Sequence, residues 1–185
     1  MAAENLYDVW AKRNPKWETR FEEIIRQFTD YGVGSSELTS ARGKMLGAGY
    51  ELYIYALFVG LYANKKRELT GETKTFGQPI QYWGNLENRK SRKAYPRLRE
   101  YIFTALLAKT DLDLIALEKG NITDSQAVDM LKVTMEQYAN YGFYTIDEKL
   151  KNNPNGFYKN TGFLNMILDL SVPPSYNSDV EIEEL

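Results

Sequence analysis

The spacing of hydrophobic and polar residues predicts helices along most of the chain. The longest apolar run covers residues 52–63 and is followed at once by Lys65, Lys66 and Arg67. Its β-branched and aromatic residues would permit a strand, but the run is longer than most strands and its residues do not alternate. We therefore interpret residues 50–67 as a buried helix whose last turn carries positive charge to the surface.

Apolar residues at steps of three and four predict the other helices. The clearest start signal is Thr-Asp-Ser-Gln at residues 123–126, which fits a capping box and opens a long helix. Pro96 suits the first turn of another helix, because its missing N–H would have no partner there. The main predicted helices cover residues 16–31, 50–67, 96–109, 124–152 and 158–169, with shorter segments at 5–13, 37–45 and 111–119.

Residues 68–88 interrupt the helical pattern with Gly, Thr, Asn and one Pro, so we predict a long loop there. Phe76, Ile80, Tyr82 and Trp83 give this loop apolar surface to bury, which indicates that it is ordered. Long ordered loops often carry function. Phe76, Tyr82 and Trp83 are therefore candidate aromatic contact residues.

The chain of 185 residues is long enough for one well-buried core. We predict an all-α fold, a single-domain compact bundle of about six to seven helices with one long ordered loop. The helical domain covers residues 1–170. Residues 171–185 contain two prolines and four acidic side chains, and we expect them to form a mobile acidic tail.

The chain contains no Cys and no His, which limits its chemistry. Disulfides, thiolate nucleophiles, Ser-His-Asp machinery and His-centred zinc sites are excluded. A phosphate-binding loop at Gly43-Lys44 is not supported, because Leu38 and Met45 stand where that motif needs Gly and Ser or Thr. We predict no cofactor, no metal and no enzymatic activity. An enzyme that relies on spatially clustered carboxylates is an alternative that one sequence leaves open.

Positive charge is concentrated in one part of the chain. Residues 64–99 hold ten Lys or Arg against three Glu, although the whole chain has a net charge of −2. Such a cluster can neutralise phosphates, and aromatic side chains beside it can stack on bases. The simpler interpretation is a solvated surface that receives acidic groups of the protein or of a partner. The candidate nucleic-acid or partner-binding residues are Lys65, Lys66, Arg67, Arg89, Lys90, Arg92, Lys93, Arg97 and Arg99.

The sequence also bears on location. The first residues lack the apolar core of a signal peptide, so we expect a cytoplasmic protein. The apolar run at 52–63 is shorter than the roughly 20 residues that span a bilayer, so we expect no membrane association. A homo-oligomer remains open.

Three segments carry a resemblance to a known family. Residues 50–69 (YELYIYALFVGLYANKKREL), 106–117 (LLAKTDLDLIAL) and 136–150 (EQYANYGFYTIDEKL) resemble the small proteins associated with Dnd systems, which are bacterial gene clusters for DNA phosphorothioation and the restriction linked to it. The chain departs from that family in a longer Gly- and Thr-rich loop, a basic helix and an additional N-terminal helical region. The family's Glu-x-Tyr-Ala-Asn-x-Gly block is matched here by Glu136, Tyr138, Ala139, Asn140 and Gly142.

The resemblance covers roughly residues 45–150 and supplies no catalytic residues. It implies a part in DNA modification or defence. Our first hypothesis is therefore a non-enzymatic accessory protein of such a bacterial system, which binds a partner protein or DNA through the basic segment. The alternative is a homo-oligomeric interaction scaffold that uses the aromatic loop at residues 76–83 as its anchor.

Overall fold

The computed structural model describes residues 4–31, 46–85, 94–159 and 161–171. In these ranges the chain forms seven α-helices and one two-stranded sheet, which confirms the predicted all-α class. The predicted helix at 37–45 and the acidic tail after Ser171 lie outside the described residues. The helices are α1 (Leu6–Ala11), α2 (Glu22–Phe28), α3 (Gly49–Ala63), α4 (Arg97–Lys109), α5 (Leu114–Glu118), α6 (Asp124–Asn152) and α7 (Gly162–Ser171), and the strands are β1 (Lys16–Glu18) and β2 (Thr73–Thr75).

The centre of the fold is an antiparallel contact between α3 and α6, marked by one glycine on each helix. A Cβ atom at Gly142 would lie 1.8 Å from the carbonyl oxygen of Ala56. A Cβ atom at Gly60 would lie 2.1 Å from the carbonyl oxygen of Tyr138. Since no other residue lacks a Cβ, both positions need glycine for the backbones to approach so closely. We call this contact the glycine seam.

The apolar run forms α3, as predicted. Its side chains are buried on several sides, because α3 packs against α6, α2 and α7. A helix surrounded in this way needs no polar face, which explains why its sequence lacks amphipathic periodicity. None of the described helices is both long enough and apolar enough to cross a membrane.

The basic residues follow α3 rather than forming its last turn, so that part of the prediction is wrong. Asn64 adopts the left-handed conformation, with φ 50° and ψ 41°. The N–H of Lys65 then donates to the carbonyl of Gly60 at 3.1 Å, which closes the helix end. The chain leaves α3 at this point and carries its three cations into the irregular segment 65–71.

The predicted helix at residues 16–31 is correct only in its second half. Residues Lys16–Glu18 form β1, which pairs antiparallel with β2 and places Trp17 opposite Lys74. A 3₁₀ turn at Thr19–Phe21 then leads into α2. The apolar spacing misleads here because Trp17 is buried by stacking on Phe76 in the distant loop, with ring centroids 5.6 Å apart, rather than by a helical face.

The loop between α3 and α4 is ordered in its described part and buries its aromatic residues, as predicted. Phe76 is 4% exposed and Ile80 and Trp83 are 0% exposed. The sequence did not indicate β2 or the 3₁₀ turn at Ile80–Tyr82, which lie within this loop.

The predicted helix starts agree with the structure where local capping decides them. Thr123 and Gln126 form the capping box at the start of α6. Pro96 directly precedes α4. α5 begins later than predicted because Asp113 is its cap, its carboxylate accepting from the Ala116 N–H at 2.9 Å. α7 likewise begins only at Gly162, after a 3₁₀ turn at Gly156–Tyr158.

The glycine seam generates a stability prediction. At an unconstrained helical site Gly→Ala stabilises by about 1 kcal/mol, but we expect Gly142→Ala to destabilise this fold by about 3 kcal/mol or more, because the new methyl overlaps the Ala56 carbonyl. Urea denaturation gives the free energy of unfolding. Gly77→Ala is the matched control, since its Cβ would meet no atom within 4 Å. Equal stability of the Gly142 variant and the wild type would contradict the close approach.

Candidate functional site

Three tyrosines on one side of α6 each have a Lys or Arg side chain over the ring. Tyr138, Tyr141 and Tyr144 recur at steps of three, so they form a neighbouring row on the helix surface, which we call the tyrosine ridge. Lys65, Lys66 and Arg67, which we call the cation segment, lie over these rings within cation–π distance. The Lys65 Nζ lies 5.9 Å from the Tyr141 centroid, the Lys66 Nζ 5.2 Å from that of Tyr138 and the Arg67 Cζ 3.4 Å from that of Tyr144.

The backbone beneath these cations is also fixed by α6. The N–H of Arg67 donates to the carbonyl of Gln137 at 3.0 Å. The Asn140 side-chain amide donates to the carbonyl of Glu68 at 2.9 Å. Side chains and backbone of the segment are thus both anchored to one helix, so the cations are presented in a defined arrangement.

The buried carboxylate of Glu18, the last residue of β1, binds both α6 and the chain just after the cation segment. Glu18 is 1% exposed and accepts hydrogen bonds from the Thr70 N–H at 2.8 Å, the Asn140 amide at 3.1 Å and the Tyr144 hydroxyl at 3.1 Å. Burial alone would raise the pKa of Glu18, but these hydrogen bonds lower it by more, so its net pKa lies below the ordinary value. At neutral pH Glu18 is therefore an ionised acceptor that holds the segment and α6 together.

Glu136 is a second buried carboxylate with the opposite shift. It is 7% exposed and accepts one hydrogen bond, from the Lys16 N–H at 2.8 Å. Burial raises the pKa of Glu136, and the hydrogen bond from Lys16 offsets only part of that effect. Glu136, Asn140 and Tyr144 stand at steps of four on α6 and form a polar stripe that binds β1 and residues 67–70.

The cation segment has no carboxylate partner among the described residues. All three side chains are exposed. Lys66 donates to the carbonyl of Lys109 at 3.2 Å, and Lys109 donates to the Asn64 side-chain oxygen at 2.8 Å, which brings a further positive charge to the same surface. This arrangement leaves the positive charge available to an external anion.

The structure separates the sequence-predicted basic residues into groups. Lys66 contacts the C-terminal end of α4, whereas Arg97 lies at its N-terminal end, about 18 Å away along the helix axis. Arg99 lies near that end too, beside Glu4 and Asp8 around a cavity of about 300 Å³. Arg97 and Arg99 therefore do not join the cation segment. The other predicted residues, Arg89, Lys90, Arg92 and Lys93, lie outside the described part of the chain.

The predicted aromatic contact residues need a correction. Phe76 and Trp83 lie in the core, Phe76 stacked on Trp17 and Trp83 stacked on Tyr50 with centroids 5.4 Å apart. As folded, neither ring is available to a partner. Only Tyr82 of the three is accessible, at 50% exposure. Burial in the protein's own core also explains why this loop is aromatic.

Sequence reasoning missed the tyrosine ridge, although its signal was present. The spacing Tyr-x-x-Tyr-x-x-Tyr at residues 138–144 lies inside the block that carries the family resemblance. Most of that block is buried or half-buried, and several of its residues hold the fold together. Glu136 and Asn140 bind backbone, and Gly142 lies at the glycine seam. Its pattern is therefore explained by packing as well as by any function.

The alternative of an enzyme that uses clustered carboxylates can be compared with the acidic residues that the structure describes. No group of three or more acidic side chains comes together as metal ligands would in residues 4–31, 46–85, 94–159 and 161–171. The buried carboxylates Glu18, Glu51 and Glu136 each accept a backbone N–H. Their contacts are those of structural acceptors that hold neighbouring segments.

Comparisons with protein-family models, with curated proteins and with solved structures found no match to this chain. The geometry of the site is therefore the basis for a functional proposal, together with the resemblance seen in the sequence.

The two buried glutamates generate a pH-dependent prediction. Glu18→Gln should lower the free energy of unfolding at neutral pH by about 1–3 kcal/mol, because an amide nitrogen would face one of three donors. Glu136→Gln keeps an oxygen for the Lys16 N–H and removes a buried charge, so it should leave stability equal or higher. Urea denaturation at neutral and acidic pH measures both.

The pH window follows from the direction of each pKa shift. The folded pKa of Glu18 is lowered, so its stabilisation is present above the unfolded value of 4.5 and is lost as pH falls through the folded value. The folded pKa of Glu136 is raised, so its cost appears as pH rises above 4.5. The free energies of unfolding of the two variants should therefore converge at acidic pH. If Glu18→Gln and Glu136→Gln lowered the free energy of unfolding equally at neutral pH, the opposite pKa shifts assigned to the two glutamates would be contradicted.

Proposed function

We propose that this protein is a non-enzymatic accessory protein that binds DNA through the cation segment, within a bacterial DNA-modification or defence system. The proposal of DNA binding rests on one observation. Three cations lie over three tyrosine rings, and none of the three forms an ion pair with a carboxylate among the described residues. The setting in a DNA-modification system comes from the resemblance of residues 50–69, 106–117 and 136–150.

The energetics favour an external polyanion. Each exposed cation–π contact is worth about 0.5–1 kcal/mol, which is enough to orient a side chain but leaves its charge in place. A phosphate backbone neutralises such charges and releases counterions, which gives sequence-independent affinity. Because the three cations are already oriented, less side-chain entropy is lost on binding.

The rest of the chain makes this attraction local. The whole protein has a net charge of −2 and a pI of about 5.4, so it has no overall positive charge that would attract DNA. A polyanion would therefore be steered toward the basic surface rather than held all over the protein. The aromatic-loop scaffold is less well supported, because Phe76 and Trp83 are buried.

Charge reversal tests this proposal. The variant Lys65→Glu/Lys66→Glu/Arg67→Glu should lose binding to a fluorescent mixed-sequence DNA duplex, measured by anisotropy. For the wild type the logarithm of the binding constant should fall with the logarithm of salt concentration with a slope of about −3, as three phosphate contacts require. Titrations between about 50 and 200 mM salt give this slope.

A control variant changes the net charge by the same amount, but at positions away from the tyrosine ridge. All three control residues are exposed: Lys12 follows α1, Lys119 follows α5 and Lys151 lies at the end of α6. Their joint replacement by Glu should weaken binding far less. Loss of binding in both variants would indicate a general charge effect, and absence of wild-type binding would refute DNA as the ligand and favour an acidic protein partner.

A further inference from the structure

A second arginine, distant in sequence, lies on the same ring as Arg67. Arg20 belongs to the 3₁₀ turn Thr19–Phe21, and its Cζ lies 4.7 Å from the centroid of Tyr144. Its Nη1 donates to the Tyr144 hydroxyl at 2.7 Å. The Cζ of Arg67 lies 3.4 Å from the same centroid. Two guanidinium groups therefore contact one tyrosine ring.

The ring that carries them is held in place. The Tyr144 hydroxyl accepts from Arg20 and donates to the buried carboxylate of Glu18. Phe21 packs edge-on against the ring, with centroids 5.0 Å apart at 83°. Phe21 in turn stacks on Phe143 within the core. Tyr144 is thus a fixed platform rather than a mobile surface side chain.

Within the described ranges, most donors of the two guanidinium groups have no hydrogen-bond partner. Arg67 contacts the ring through its face, and a stacked guanidinium presents its N–H groups at its edge. Arg20 commits one nitrogen to the tyrosine hydroxyl. Neither arginine forms an ion pair with a carboxylate in the part of the chain that the structure describes.

We propose that Arg20 and Arg67 together bind one phosphate group of the DNA backbone, with Tyr144 as their common platform. The inference rests on the proposed function and adds to it a contact residue and a ligand group. Planar forks with several donors match phosphate oxygens bidentately, which a lysine ammonium cannot do. Contact with the backbone rather than with bases makes the binding independent of DNA sequence.

The acidic groups around this pair direct the approach of the phosphate. Glu72 lies beside Thr19, the residue before Arg20, since its backbone carbonyl accepts from the Thr19 N–H at 2.8 Å. Its carboxylate faces the Thr19 hydroxyl at 3.5 Å. Glu68 follows Arg67 directly. Because these carboxylates belong to neighbours of the two arginines and repel phosphate, we expect the DNA backbone to approach from the side where the cation segment continues through Lys65 and Lys66.

Single substitutions at Arg20 test the inference with the same labelled duplex. Arg20→Ala should weaken binding roughly tenfold or more, equally for duplexes of different sequence, while the salt slope stays near that of the wild type because Arg67 still contacts the same phosphate. Arg20→Lys keeps the charge but loses the fork, so a clear loss of affinity is expected from it as well. Thermal unfolding of each variant checks that the fold is retained.

Lys74→Ala is the matched control, because Lys74 is an exposed cation on the adjacent β2 and is already paired with Glu22 at 2.7 Å. It should leave affinity and salt slope close to those of the wild type. If Arg20→Ala behaves like this control while the wild type binds DNA, the two-arginine site is refuted and the proposed function stands. If the wild type binds no duplex, both proposals fail. Full affinity in Arg20→Lys would overturn the bidentate geometry.

Discussion

At Gly142 the backbone of α6 approaches the Ala56 carbonyl of α3 so closely that no side chain fits between them. Gly60 meets the Tyr138 carbonyl in the same way four residues further along α3. This backbone contact sets the distance and register of the two longest helices. Because the cation segment follows α3 directly after Asn64, the register also decides where the three cations meet α6.

Three sets of residues on the long helix α6 contact different parts of the structure. Its glycine and apolar positions pack on α3, its polar stripe of Glu136, Asn140 and Tyr144 binds β1 and the segment after α3, and its tyrosine ridge carries the cations. Tyr144 belongs to both the stripe and the ridge. It therefore couples the buried carboxylate of Glu18 to the exposed charge of Arg67, so the basic surface depends on the interior for its geometry.

Local signals in the sequence predicted the helices well. The capping box at Thr123, the Pro before α4 and the apolar run of α3 depend on neighbouring residues, so one sequence reveals them. β1 was missed because three residues become a strand only through pairing with β2, more than fifty residues later. Apolar spacing at Trp17 could not show that its ring packs on a loop instead of a helical face.

The candidate site was predictable only in part. The cations of residues 65–67 were identified by charge, but their separation from Arg97 and Arg99 depends on the direction of α4. The burial of Phe76 and Trp83 reversed the expected role of the aromatic loop, because composition does not distinguish an exposed ring from a core ring. Arg20 had no sequence signal, since its link to Arg67 exists only through Tyr144.

DNA binding through a preformed site requires that the cation segment is already ordered on the tyrosine ridge in the free protein. Side-chain proton shifts of Arg67, measured by NMR without DNA, test it most directly, because a proton over an aromatic face experiences the ring current. We predict upfield shifts relative to an unstructured peptide, which disappear in Tyr144→Leu. Random-coil shifts for Arg67 in the wild type would show that Arg67 is not held on the Tyr144 ring.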